Sequence, residues 1–134
     1  MSDEYVDRAR ALVGTRFRPQ GRSAETGLDC IGLALAVFRI PAEAVRRDYS
    51  LRGDHGAELR AEILRFFRPV SHAAVACGDL VVSEIANDQL HLSICTGESF
   101  VHADARLRRV VETPGKPSWP SRGTYRRRVR MRAC

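Results

Sequence analysis

The segment Cys30-Ile31-Gly32-Leu33-Ala34-Leu35-Ala36-Val37-Phe38 is helix-compatible and apolar almost all the way round. A helix with no polar face must be covered on every side, so residues 30–39 are predicted to form the buried central helix, ended by Pro41. A turn rich in Gly, Ser and Thr precedes it, and Asp29 is placed to cap it. Cys30 therefore falls in the first helical turn. Unpaired N–H groups and partial positive charge there favour a thiolate, the nucleophilic form of cysteine. A nearby ionised Asp29 acts in the opposite direction, and the balance between the two is open at this level. Free cysteine is otherwise most often a small buried hydrophobe, and Cys77, Cys95 and Cys134 are read that way.

The rest of the chain changes period halfway. Val6, Ala9 and Leu12 are spaced as on a helix over residues 5–13, with Gly14 where a C-terminal glycine belongs. Residues 15–27 read as a loop. Residues 49–56 read as a polar turn. A third helix is predicted over 57–68, closed by Pro69. Strand patterns follow at 80–82, 90–95, 100–103 and 109–112, then a proline-rich loop over 113–123 and a last strand over 125–132. Helices first and an antiparallel sheet afterwards mean an α+β fold. With 134 residues and no linker, the chain reads as one domain, residues 1–134.

Composition excludes several classes. No stretch approaches the roughly 18 apolar residues of a membrane span. The start, Met1-Ser2-Asp3-Glu4-Tyr5, is too polar for a secretory signal, so the chain is expected in the cytoplasm at synthesis. The four cysteines form no close pairs of the kind that hold zinc. A net charge of +6 favours anionic partners. Arg126-Arg127-Arg128, with Arg130 and Arg132 alternating with Val129 and Met131, reads first as the solvated face of a strand and second as a polyanion contact. Without a recognised nucleic-acid motif or stacking aromatics, no specific nucleic-acid partner is expected.

A cysteine nucleophile needs a base, and the base needs an orienting partner. His55 and His72 sit in loops. His91 lies on the strand face opposite Leu90, Leu92 and Ile94, with Ser93 and Cys95, and His102 lies on the next strand. A two-residue turn at Thr96-Gly97 would set His91 directly opposite His102, close enough for one imidazole to fix the tautomer of the other.

These blocks resemble a known family. Gly14-Thr15-Arg16-Phe17, Gly21-Arg22-Ser23 and Asp29-Cys30-Ile31-Gly32-Leu33, followed by Gly78-Asp79-Leu80-Val81, His91-Leu92-Ser93-Ile94-Cys95 and Phe100-Val101-His102-Ala103, look like the NlpC family of cell-wall cysteine peptidases. The resemblance runs from about Ala9 to Val111. The insert between Pro41 and Val75 and the arginine-rich end look more like phage-tail and gene-transfer-agent members. The resemblance implies a papain-like fold and hydrolysis of amide bonds in peptidoglycan stem peptides, typically after γ-D-glutamate, with no metal or cofactor. It implies Cys30 as nucleophile, His91 as general base and then acid, and His102 as its orienting partner. Asp29, Phe17 and Ser93 would touch substrate. It also implies action at the cell wall, in association with a virion or phage-like particle and its tail-like proteins.

Three departures from the family pattern stand out. Phe17 stands where a tyrosine hydroxyl is usual, Ile31 replaces the serine after the nucleophile, and Pro19-Gln20-Gly21 replaces an aromatic-Gly-Gly. Two alternatives therefore stay open: a non-catalytic wall-binding or tail-tip module of the same fold, and a related thiol acyltransferase or deamidase.

Overall fold

The computed structural model describes residues 3–45, 56–86 and 89–128. The expected polar turn at 49–56 lies outside them except for Gly56, and His55, Arg130, Arg132 and Cys134 lie outside them entirely. Three helices and eight strands follow in chain order among the described residues: α1 (Asp3–Ala11), β1 (Arg22–Ser23), β2 (Gly27–Leu28), α2 (Cys30–Phe38), α3 (Gly56–Phe66), β3 (Phe67–Val70), β4 (Leu80–Ala86), β5 (Gln89–Cys95), β6 (Ser99–Asp104), β7 (Arg109–Pro114) and β8 (Ser121–Arg127). β1 and β2 form a short ribbon. The others form one antiparallel sheet in the order β3-β8-β4-β5-β6-β7. This is the expected α+β arrangement of helices packed on an antiparallel sheet.

α2 is the central helix. All its residues but Ala36 are buried. It lies against the sheet face built from Leu80, Val82, Leu92, Ile94, Val101, Ala103 and Tyr125, with Ala9 of α1 and Leu59 and Ile63 of α3 closing the core. Phe38 joins the layers through ring contacts at 4.9 Å with Tyr5 and with Phe67. The carboxyl end of α2 leaves carbonyls without helical partners. The Arg8 guanidinium of α1 donates to two of them, Ala36 at 2.6 Å and Val37 at 2.9 Å. Arg39 stops the helix in the left-handed conformation (φ 57°), so it caps α2 rather than extending it.

Two expectations change here. The helix predicted over 57–68 ends at Phe66, and the chain then turns into β3. Pro69 sits inside that strand, which is tolerable because β3 is an edge with one neighbour. The last strand begins at Ser121 rather than Tyr125, and it runs inside the sheet between β3 and β4. Arg126, Arg127 and the adjoining Arg128 make bonds within the fold, Arg128 remaining exposed, and Arg130 and Arg132 lie outside the described residues. Arg126 clasps the buried Asp79 carboxylate through two bonds, Nε to Oδ1 at 2.9 Å and Nη2 to Oδ2 at 2.8 Å. Arg127 donates to the carbonyls of Phe38 and Phe66, and Arg128 to that of Phe67.

The Asp79–Arg126 pair gives the first prediction. Asp79 is 1% exposed, so removing its cation strands a buried charge. Arg126→Met is expected to destabilise the fold by about 3 kcal/mol, the low end for a broken buried pair, since the guanidinium is 35% exposed. Denaturant unfolding of the two proteins checks this.

Candidate active site

The loop before α2 is built around a close backbone approach. The Gly21 carbonyl lies against Gly32, in the space a side chain at position 32 would fill. That contact brings residues 20–22 to the mouth of the helix. Asp29 then locks them in place. Its Oδ1 accepts from the Gly32 amide at 2.8 Å as the helix cap, and from Arg22 Nη1 at 2.8 Å. Its Oδ2 accepts from the Gln20 amide at 3.1 Å. The carboxylate expected to touch substrate is thus engaged by three internal bonds, although the residue lines the cleft described below. Phe17 also lines that cleft, held by backbone pairing to Leu28 and Arg108.

His91 and His102 meet, but by a register other than the one expected. The pairs are Ser93↔His102, Ile94↔Val101 and Cys95↔Phe100, so His102 stands opposite Ser93. The turn is centred on Gly97-Glu98, closed by the Thr96 amide on the Ser99 carbonyl at 2.9 Å. Gly97, at φ +107°, takes the first central position, where positive φ favours glycine. Moving the turn by one residue shifts the pairing by two, which preserves the face. The two rings therefore meet diagonally, His91 Nε2 to His102 Nδ1 at 2.9 Å. His102 Nε2 lies 3.3 Å from Thr113 Oγ1. Trp119 packs edge-on against both rings, at 5.5 and 5.8 Å. Ser93, expected at the substrate, is fully buried between its ladder partners Val81 and His102 and does not line the cleft.

Beyond Ser93↔His102, β5 and β6 no longer pair, although both strands continue. α2 packs on one face of the sheet and the histidines alternate to the other, and Cys30, His91 and His102 line one cleft. The cleft has a volume of about 1020 Å³ and is lined by Phe17, Arg22, Cys30, His91, His102, Asp104 and Trp119 among others. Sequence reasoning missed Thr113, Trp119 and Asp104. Trp119 is the sole tryptophan and sits in a proline-rich loop, which was a usable signal.

Burial dominates the electrostatics. Cys30 is 4% exposed, and its thiol pKa is pushed up to about 12, first by loss of hydration and then by the Asp29 charge. The Leu92 amide and Arg22 oppose this without cancelling it. The His91 pKa is lowered to about 4, by burial and then by His102, against a smaller opposing effect of Asp104. Burial lowers that of His102 as well. At neutral pH the resting groups are a thiol and a neutral imidazole. The Thr113 hydroxyl can donate or accept, so the chain admits two tautomers; in one of them His102 Nε2–H donates to Thr113 and His91 Nε2–H donates to His102 Nδ1. That tautomer leaves His91 Nδ1 as a proton acceptor. The Cys30 amide lies in the first turn of α2, where backbone N–H groups have no intrahelical partner.

A pH prediction follows. His91 titrates near 6.5 when unfolded and near 4 when folded. The unfolded chain binds the proton first as pH falls, so the stability gained from neutral His91 is complete above pH 6.5 and drains away toward pH 4. Thermal unfolding followed from pH 8 to pH 4.5 is expected to show a falling Tm, with a shallower slope in His91→Asn.

No protein-family model matches the chain. The chain is similar to the murein DD-endopeptidase MepS/murein LD-carboxypeptidase of Escherichia coli K12, 28% identical over 134 residues, covering 98% of this chain. It spans 62% of the length of that curated relative. Among solved structures, NlpC1 from Trichomonas vaginalis matches with TM-score 0.69 at 15% identity, covering 94% of this chain and 43% of that one. RipD from Mycobacterium tuberculosis, described as a non-catalytic NlpC/p60 domain protein adapted to peptidoglycan binding, matches with TM-score 0.62 at 16% identity, covering 96% and 97%. The chain therefore has the papain-like NlpC/p60 fold, and the NlpC resemblance carried by its sequence blocks agrees with that architecture.

Proposed function

We propose that this chain is a cysteine peptidase that hydrolyses amide bonds in peptidoglycan stem peptides at the cell wall. The observation that carries the reading is the 2.9 Å His91–His102 bond, in the same cleft as a cysteine at the mouth of a capped helix. In this mechanism His91 Nδ1 takes the Cys30 proton as the sulfur attacks the carbonyl carbon. The charge that develops on the carbonyl oxygen faces the Cys30 amide, a type of donor worth about 3–4 kcal/mol of barrier. His102 holds the imidazolium in place. The proton then passes from His91 to the leaving amine, and water, activated by the same ring, releases the acyl group from sulfur. Because the resting pair is neutral, proton transfer accompanies attack instead of preceding it. The similarity to a murein endopeptidase supports the choice of substrate.

Incubation with purified peptidoglycan, followed by chromatography of released fragments, tests the proposal. New peptide fragments are expected from the parent protein. His91→Ala should slow their release by about 10²–10⁴-fold, the usual contribution of a general base. Release that survives Cys30→Ala would remove Cys30 as nucleophile.

A second reading is a wall-binding module without catalysis. It is favoured by the raised Cys30 pKa, by Phe17 in place of a hydroxyl-bearing residue, and by the likeness to RipD. It predicts pelleting with cell-wall sacculi, weakened by salt, and no fragment release from the parent protein.

A further inference from the structure

Cys77 and Cys95 do not line the cleft, and the backbone brings them to one place outside it. Gly78, at φ +86°, is the extra residue of a bulge just before β4. Its amide donates to the Cys95 carbonyl at 2.7 Å, and the Cys95 amide donates to the Asp79 carbonyl at 2.9 Å, so Gly78 and Asp79 together oppose Cys95. Cys77 is the preceding residue, in the turn closed by the Asp79 amide on the Ala76 carbonyl at 3.1 Å. Both sulfurs lie against Gly97 in the β5–β6 turn. Cys95 Sγ is 3.9 Å from the Gly97 carbonyl oxygen. Cys77 Sγ is so placed that a side chain at position 97 would meet it at 3.3 Å, a space that glycine leaves open. Burial raises the Cys95 thiol pKa, and the charge of the neighbouring Cys77 sulfur adds to the effect. Both cysteines are free. Cys95 is buried, whereas Cys77 is half-buried and lines a surface cavity of about 870 Å³ with Asp79, Arg126 and Arg128. A small oxidant therefore reaches Cys77 first. Arg10 lies within electrostatic reach of Cys77, and Lys116 of Cys95; cations there favour the thiolates that exchange requires.

We propose that Cys77 and Cys95 are a thiol–disulfide pair, two thiols under reducing conditions and one intramolecular disulfide under oxidising ones, which fastens the segment before β4 to the end of β5 beside the β5–β6 turn. The oxidant is a small-molecule disulfide such as oxidised glutathione. The Cys77 thiolate attacks one of its sulfurs and expels a thiolate. The Cys95 thiol then loses its proton and attacks the Cys77 sulfur, expelling the second thiolate. The two cysteines are oxidised by two electrons, and the small disulfide is reduced to two thiols that take up the two protons. The inference is independent of the hydrolase reading, because neither sulfur belongs to that site.

The test incubates the folded full chain with oxidised glutathione, alkylates the remaining thiols after denaturation and maps the unreduced digest by mass spectrometry. A Cys77–Cys95 cross-link is expected, with Cys30 alkylated, and dithiothreitol should remove the link. The oxidised protein is expected to melt about 5 °C or more above the reduced one, because closing a loop of chain restricts the unfolded state. Cys77→Ser, a small change at a half-buried position, should abolish both the link and the shift. Three mapping results overturn the proposal: Cys77 carrying glutathione while Cys95 stays free, Cys77 joined to Cys134 or to a second copy of the chain, and no oxidation of either residue. None of these needs a variant. A cross-link that leaves the melting temperature unchanged or lowers it also overturns the proposal, since such a link does not fit the native fold. Neither measurement depends on peptidoglycan cleavage, so the hydrolase reading stands or falls separately.

Discussion

The carboxylate of Asp29 is the point on which the cleft depends. It caps α2 through Gly32, ties down the loop through the Gln20 amide and anchors Arg22. The loop at residues 20–22 and the start of α2 are thereby tied to one group, and Cys30 is the next residue. The backbone contact between Gly21 and Gly32 makes this possible, because no side chain separates the loop from the helix. The same carboxylate works against the thiolate it positions, and burial works against it further. Order at the helix mouth is obtained together with a protonated thiol.

That balance sets the character of the site. A helix N-terminus alone would favour a thiolate, and two exposed imidazoles would titrate near neutrality. Here the sulfur is almost sealed, and His91 and His102 are covered by Trp119 and the sheet. Loss of hydration disfavours charge on each of these groups, and it is the largest effect on all three. A neutral chain of donors and acceptors from Thr113 through His102 to His91 is what such an environment stabilises. With His91 Nε2 protonated it keeps His91 Nδ1 ready to accept a proton, and it costs no buried charge at rest.

The separation of β5 from β6 has an equally direct consequence. A regular ladder would hold the helix-packed face and the histidine face of the sheet apart. Pairing stops at Ser93↔His102, and residues carried by both faces line one cleft. The internal position of β8 supports the other flank. Its Arg126 and Arg127 and the adjoining Arg128 are spent on Asp79 and on the carbonyls of Phe38, Phe66 and Phe67. Arg126, Arg127 and Arg128, read from the sequence first as a solvated strand face, also take part in the internal bonding of the fold.

Local patterns were legible wherever neighbours in sequence suffice. The all-apolar run at 30–38, the capping Asp29 and the alternation around His91 specified a buried helix, its start and the face carrying the histidines, because each depends on spacing within one element. Gly97 also held the information for the register, since a glycine at the first central position moves the turn by one residue. Other features arise only when distant segments close on one another. Pro69 could sit in a strand because β3 became an edge, and Ser93 was lost to the cleft because Val81 and His102 covered it. The protonation state of Cys30 and His91 belongs to this second group. Sequence alone determined which reactive groups share a face and where the helix begins, because backbone periodicity is local; tertiary structure decided whether those groups carry charge, because hydration is removed only when the whole chain packs around them.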